Sequence, residues 1–209
     1  MVKGIIFDLD GVLLSTDEYH YQAWKAIADE LGIYFDKTIN NKLRGVSRMD
    51  SLDIILGGKY YSPLDKQRFA EKKNNIYREL LNDLSPSVVS DDVRSTLIAL
   101  RALGIKTAIG SSSKNTKFIL QKVELIDMFD AISDGTNIIR SKPDPEVFLK
   151  AAEFINLNPS ECIVVEDAYS GIEAAKAGDF TAAAIGDAQS HPKADYKISR
   201  LSDLLKIVK

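Results

Sequence analysis

Short apolar runs, each cut off by a cluster of polar residues, punctuate the chain. Ile5-Ile6-Phe7 stops at Asp8-Leu9-Asp10-Gly11, the run 106–109 at Gly110-Ser111-Ser112-Ser113, and Ile163-Val164-Val165 at Glu166-Asp167. Together with 131–132 and 182–185 these are the strand candidates. The runs at 106–109 and 163–165 are too continuously apolar to alternate, as in a parallel sheet buried on both faces. Helical patterns fall between them at Val93–Leu103, Thr116–Val123, Pro145–Ile155 and Gly171–Ala177, two of them stopped by Gly104 and Gly178. Strand–helix alternation predicts an α/β fold, a Rossmann-like open parallel sheet joined by right-handed crossovers.

One stretch breaks the alternation. From Ser15 to Leu84 only helical patterns occur. Ser15-Thr16-Asp17-Glu18 reads as a capping box with Ser15 as N-cap, followed by Ala23, Trp24, Ile27 and Leu31 at helical spacing. Ser62-Pro63 opens another helix with Phe69, Ile76, Tyr77, Leu80 and Leu81 on one face. The expected organisation is an α/β catalytic core of residues 1–14 and 85–209 with an inserted helical cap domain, 15–84. Ligands of open α/β sheets bind beyond the carboxyl ends of the strands. An insert after the first strand is therefore expected to act as a lid, with short hinges near Leu14–Thr16 and Leu84–Val88.

At 209 residues and 45 % hydrophobic composition the chain can bury a core in one or two domains. With 27 basic against 30 acidic residues and a net charge of −3, nucleic acid is not an expected partner. No run approaches a membrane span and no leader pattern opens the chain, so a cytoplasmic protein without a membrane partner is expected. The single cysteine, Cys162, sits in an apolar run and is expected to be a small buried hydrophobe. No dimerisation stripe is evident, and a monomer is expected.

The polar clusters carry the chemistry. Asp8 and Asp10, two residues apart at a strand end, can converge on one site and suit a hard cation such as Mg²⁺ and an attacking carboxylate. The turn Ser111–Asn115 between a strand and a helix offers hydroxyls and N–H groups to a phosphate. Lys142, in Ser141-Lys142-Pro143-Asp144-Pro145, can neutralise a phosphoryl group as a point charge. Glu166 and Asp167, at the end of an apolar strand, would repel each other without a cation. Together these are the parts that phosphoryl transfer needs.

In this order, Asp8-Leu9-Asp10-Gly11-Val12, Ser111, Lys142 and Glu166-Asp167 resemble the motifs of the haloacid dehalogenase-like superfamily. The resemblance implies that Asp8 is a nucleophile forming an aspartyl-phosphate. It implies that Asp10 is the general acid/base and gives Mg²⁺ its main-chain carbonyl. Glu166 and Asp167 would complete the metal site with Asp8, while Ser111 and Lys142 hold phosphoryl oxygens.

The insert is similar to that of sugar-phosphate mutases within the superfamily, in the segments 17–26, 45–52 and 72–74; the core turn 111–115 shares the likeness. A mutase must hold a sugar bisphosphate in both orientations, and Arg48 can grip the non-transferring phosphate in bidentate fashion. The resemblance implies help from Lys114 and Asn115, with Ser112 and Ser113 in the same phosphate turn. Gly45, Val46, Ser47 and Ser51 would line the sugar. His20, with a Thr16–Lys73 hydrogen bond, would place Asp10 once the lid closes. The expected reaction interconverts β-D-glucose 1-phosphate and glucose 6-phosphate through β-glucose 1,6-bisphosphate. The alternative is a Mg²⁺-dependent sugar-phosphate phosphatase. A non-catalytic phosphosugar-binding protein is disfavoured because every catalytic group is present. The chain departs from the pattern at Arg44, where a lysine is usual, at Ser15, where an acid is common, and at Ala168, in place of a small hydroxyl residue.

Overall fold

The computed structural model describes residues 1–208. The chain divides into two compact units, Met1–Ser15 with the chain from Ser85 onward, and Thr16–Leu84. In chain order the elements are β1 (Gly4–Phe7), α1 (Asp17–Glu30), α2 (Lys37–Asn41), α3 (Arg48–Leu56), α4 (Pro63–Leu80), α5 (Asp91–Ala102), β2 (Lys106–Gly110), α6 (Thr116–Lys122), β3 (Ala131–Ser133), α7 (Glu146–Phe154), β4 (Cys162–Glu166), α8 (Tyr169–Ala177), β5 (Thr181–Ala184), β6 (Tyr196–Lys197) and α9 (Leu204–Ile207).

The first unit is an α/β layer structure. Its parallel sheet has the order β3-β2-β1-β4-β5-β6, so β1 lies where the strand order reverses, the place where open α/β sheets bind ligands. Ile5, Ile6 and Phe7 are wholly buried, as are Ile163, Val164 and Val165 beside them, which explains why neither run alternates. Phe7 pairs with Ile109 on one side and Val165 on the other. The residues just past these pairs are therefore delivered to one level at the carboxyl edge. Helices α7 and α8 pack on the sheet through Phe148, Ala151, Ile172 and Ala175 around Phe180. Ser90 starts α5 by accepting from the Val93 N–H at 3.3 Å, and Asp91 and Asp92 follow in its first turn, where the helix dipole favours anions. Cys162 is buried, and burial pushes its thiol up to about 11. Strand β6 was not expected: it is two exposed residues long and has no apolar run to announce it.

The second unit is all helical. Trp24, Ile27, Phe35, Leu52, Ile55 and Leu56 form its core, so Trp24 packs rather than faces solvent. Ser62 caps α4 as the sequence suggests, accepting from the Asp65 N–H at 3.1 Å ahead of Pro63. The capping box expected at Ser15 does not form. Thr16 rather than Ser15 is the residue preceding α1, and the Thr16 side chain makes no capping bond. Glu18 turns outward to Lys37 and Gln22 at 3.0 and 3.2 Å instead of reaching back. The Thr16 hydroxyl oxygen accepts from Tyr77 at 2.9 Å. Tyr61 packs edge-on against Phe69, while Tyr60 is exposed. Among the described residues no helix is long and apolar enough to cross a membrane.

Candidate active site

At the carboxyl edge of the sheet, three strand ends deliver acidic and hydroxyl groups. Asp8 follows β1, its N–H bonded to the Val165 carbonyl at 3.0 Å. Glu166 ends β4 and Asp167 follows it. Oxygens of Asp8, Glu166 and Asp167 lie within 4.8 Å of one another. Three hard carboxylates at this spacing fit a Mg²⁺-type cation. The Asp10 carboxylate is not in this group; Asp10 sits in the loop beyond β1, bridged to Leu14.

Lys142 stands at the centre of the cluster. Its loop sequence suggests a solvated lysine, yet its side chain is 2 % exposed. The ammonium donates to Asp8 Oδ1 at 2.6 Å and to Glu166 Oε1, and lies 4.7 Å from the Phe148 ring centre. Burial alone would depress an ammonium, but the two carboxylates outweigh it and hold Lys142 protonated above its ordinary value. Burial pushes Glu166 upward, opposed by Lys142. Glu166 also accepts from the Ala168 N–H at 2.8 Å. The repulsion expected between Glu166 and its neighbour is thus answered in part by this lysine, and with Asp167 beside the two carboxylates that meet it the cluster keeps an excess of negative charge for a divalent cation.

Two glycines make the close approach feasible. Gly11 has φ +80°, and a Cβ there would lie 2.0 Å from Asp167 Oδ2. A Cβ on Gly171 would lie 1.9 Å from the Glu166 carboxyl. Any side chain at either position displaces a carboxylate of the cluster.

The turn after β2 is largely built on its own hydroxyls. Ser111 Oγ accepts from the Ser113 N–H and Ser113 Oγ from the Asn115 N–H, each at 3.2 Å. Ser111 is buried, and its hydroxyl hydrogen is left to donate. Ser112 Oγ is buried without a partner. Lys114 is exposed and Asn115 buried.

The helical unit gathers a second set. Lys73, almost fully buried, donates to His20 Nδ1 at 2.7 Å, so the His20 hydrogen rides on Nε2. The Lys73 ammonium also lies 4.4 Å from the Tyr77 ring centre and 5.0 Å from that of Trp24. Tyr77 stacks on His20 with ring centres 4.1 Å apart. Periodicity places Tyr77 on the apolar face of α4; its spacing of one turn from Lys73 was the only signal of this polar duty. Arg48 opens α3, whose N-cap is Ser47, and donates to Asn74 Oδ1 at 2.8 Å. Ser51 is buried on the same helix, while Gly45 and Val46 form the half-buried turn before it. Arg44 ion-pairs with Asp17, so its guanidinium serves this unit's own packing.

Loss of water, then Lys73 and Arg48, hold His20 well below its ordinary value. A histidine depressed by folding contributes stability that is present above its unfolded value, near 6.5, and lost as pH falls below it. His20→Gln is therefore expected to unfold with a flatter pH dependence than the wild type between about pH 7 and 5, read as urea midpoints across that range. Parallel curves for the two proteins would refute the assignment.

Comparison with known proteins follows the same lines. The profile of the haloacid dehalogenase-like hydrolases matches residues 2–179. β-Phosphoglucomutase of Bacillus subtilis is 40 % identical over 97 % of this chain and 92 % of its own. A phosphorylated-carbohydrates phosphatase of Thermotoga maritima is 29 % identical over 84 % of this chain and 81 % of its own. The crystal structure of β-phosphoglucomutase from Clostridium difficile superposes with a TM-score of 0.93 at 37 % identity, covering 100 % of this chain and 96 % of that one. With β1, β2 and β4 presenting Asp8, Ser111 and Glu166-Asp167 at one sheet edge, and with relatives of this closeness, the chain belongs to the haloacid dehalogenase-like hydrolase family.

Proposed function

We propose that this enzyme is a Mg²⁺-dependent phosphomutase that interconverts β-D-glucose 1-phosphate and glucose 6-phosphate through β-glucose 1,6-bisphosphate. The observation that carries the reading is its 40 % identity to the Bacillus subtilis β-phosphoglucomutase over 97 % of the chain, helical unit included. It is proposed to work as a monomer in the cytoplasm.

The Asp8 carboxylate attacks phosphorus. A bond forms from its oxygen, the bond from phosphorus to the sugar oxygen breaks, and the electron pair leaves with that oxygen, which takes a proton from Asp10. When the broken bond is that of the 1-phosphate of the bisphosphate, the product is glucose 6-phosphate; the aspartyl-phosphate then passes its phosphoryl group to the free 6-hydroxyl of an incoming β-glucose 1-phosphate, with Asp10 recovering the proton, and the bisphosphate is regenerated. Ser111 donates to the phosphoryl oxygens and Lys142 offsets their charge. When bound, Mg²⁺ adds positive charge against those oxygens; Asp8, Glu166, Asp167 and the Asp10 main-chain carbonyl are the groups that would hold it.

In this reading residues 16–84 act as the cap. Arg48 takes the non-transferring phosphate, assisted by Lys114 and Asn115, and Gly45, Val46, Ser47 and Ser51 meet the sugar. His20, together with a Thr16–Lys73 hydrogen bond, governs when Asp10 can act, which favours sugar over water as the acceptor.

A coupled assay for glucose 6-phosphate tests the proposal, with β- and α-glucose 1-phosphate supplied separately, with and without Mg²⁺ and a trace of bisphosphate. Turnover of the β anomer, dependent on both additions, is expected. Activity on the α anomer alone overturns the substrate. Release of free phosphate without isomerised sugar makes the enzyme a phosphatase instead.

A further inference from the structure

His191 stands outside the chemistry described so far, yet it is buried and fully partnered. Its surroundings lead back to the acidic pair. The turn Gly186–Ser190 follows β5, and its backbone grips the residues that end β4: the Ile185 N–H donates to the Glu166 carbonyl at 2.9 Å and the Ala188 N–H to the Asp167 carbonyl at 3.0 Å. The Asp167 main chain is thus tied to the turn itself, and that of Glu166 to Ile185, the residue that leads into it. Ala188 itself is wholly buried.

What holds that turn is a clasp built on His191. The His191 N–H donates to the Ala188 carbonyl at 2.9 Å. Its Nδ1 accepts from the Lys193 N–H at 3.1 Å, so the ring hydrogen rides on Nε2, which meets Glu173 Oε1 at 3.1 Å. The ring packs edge-on against Tyr169, centres 4.7 Å apart. Ser190 donates to the Asp187 carbonyl at 2.9 Å, so the Tyr169 hydroxyl supplies the hydrogen of the 2.7 Å bond between Tyr169 and Ser190. Tyr169 and Glu173 both lie on α8, the helix that begins two residues after Asp167. The helix that follows the acidic pair and the turn that follows β5 are therefore locked to each other, through the His191 imidazole and through the bond between Tyr169 and Ser190.

We propose that His191 is a positioning residue for the divalent-metal site: by clasping the 186–190 turn to α8 it fixes the main chain of Glu166 and Asp167, and with it the spacing of their carboxylates. The inference rests on the reading of Asp8, Glu166 and Asp167 as metal ligands. Groups that orient metal ligands typically change affinity by about 10–100-fold when removed. The clasp acts one step further out, through backbone, so a loss toward the lower end of that range is expected.

The test is direct Mn²⁺ titration by electron paramagnetic resonance, which reads binding without turnover. The wild type is expected to bind one Mn²⁺ competed by Mg²⁺. His191→Ala is expected to weaken Mn²⁺ by about 10-fold, with KM for the sugar phosphate unchanged and kcat restored at saturating metal. His191→Gln, which can still donate to Glu173, is expected to recover much of the loss. Glu173→Ala, a change at a half-exposed side chain, serves if His191→Ala does not fold, and is expected to weaken Mn²⁺ in the same direction. Wild-type Mn²⁺ affinity in the folded variants overturns the positioning role, even if their unfolding midpoints fall. A parallel rise in sugar-phosphate KM also overturns it, because the damage is then general. Absence of Mn²⁺ binding in the wild type removes the metal-site reading itself and the inference with it.

Discussion

Asp8→Asn is expected to lower turnover by at least about 10⁴-fold, the scale on which enzymes lose rate when a covalent nucleophile is removed. The substitution keeps the side chain's shape at the end of β1 but replaces the attacking oxyanion with an amide. It also withdraws one of the two anions that meet the Lys142 ammonium. Because Glu166 still faces that ammonium, the fold is expected to survive, and circular dichroism should match the wild type. Two measurements check the outcome. The coupled glucose 6-phosphate assay should fall to background. Intact mass after incubation with the sugar bisphosphate should show the added phosphoryl group on the wild type and none on the variant. A variant that turns over at a wild-type rate, or that carries the phosphoryl group elsewhere, removes Asp8 from the nucleophile's role.

Lys142→Met is expected to cost both activity and stability. Methionine fills a similar volume against Phe148, so packing is largely retained and the change isolates the charge. What remains is a pair of buried carboxylates, Asp8 and Glu166, stripped of the cation between them. Breaking a buried ion network by removing one partner typically costs about 3–5 kcal/mol, enough to lower the unfolding temperature by roughly 10 °C in a chain of this size. Saturating Mg²⁺ should return part of that stability by supplying charge to the same oxygens. Adding Glu166→Gln should return part of it without metal, because one uncompensated anion is then gone. Urea unfolding of the single and double variants, with and without Mg²⁺, reads all of this. A single variant within about 1 kcal/mol of the wild type would mean that the network contributes little and that Lys142 is replaceable.

Much of this was legible in the chain. Parallel strands show themselves as short runs such as Ile163-Val164-Val165 that have no reason to alternate, because both faces are covered. Their polar endings, Asp8 and Glu166-Asp167, mark the sheet edge. Lys142 was not legible as a buried group. Ser141-Lys142-Pro143-Asp144-Pro145 has the composition of a solvated loop, and its partners Asp8 and Glu166 are remote in sequence, so only the fold brings them within reach. The Ser15 capping box misled for a related reason. A local motif competes with distant partners, and Tyr77 and Lys37 engage Thr16 and Glu18 from elsewhere in the helical unit. His191 carried no local signal at all; its role depends on Glu173 and Tyr169 one helix earlier. Strand β6 shows the lower limit, since two exposed residues hold no periodicity to read.

The place of β1 in the sheet also bears on how the protein comes into being. Strand β1 pairs with Lys106–Ile109 and with Cys162–Val165, both later in the chain, so during synthesis it waits, apolar and unpaired, for partners that emerge much later. Residues 16–84 are contiguous and rich in local contacts, which form quickly; they can be finished long before β1 has a neighbour. An exposed apolar strand is a target for aggregation or for a chaperone during that interval. Asp8 meanwhile has neither Lys142 nor Glu166 beside it. A nascent or prematurely terminated chain therefore lacks the assembled acidic cluster, and on the proposed function it is chemically silent until β4 pairs with β1.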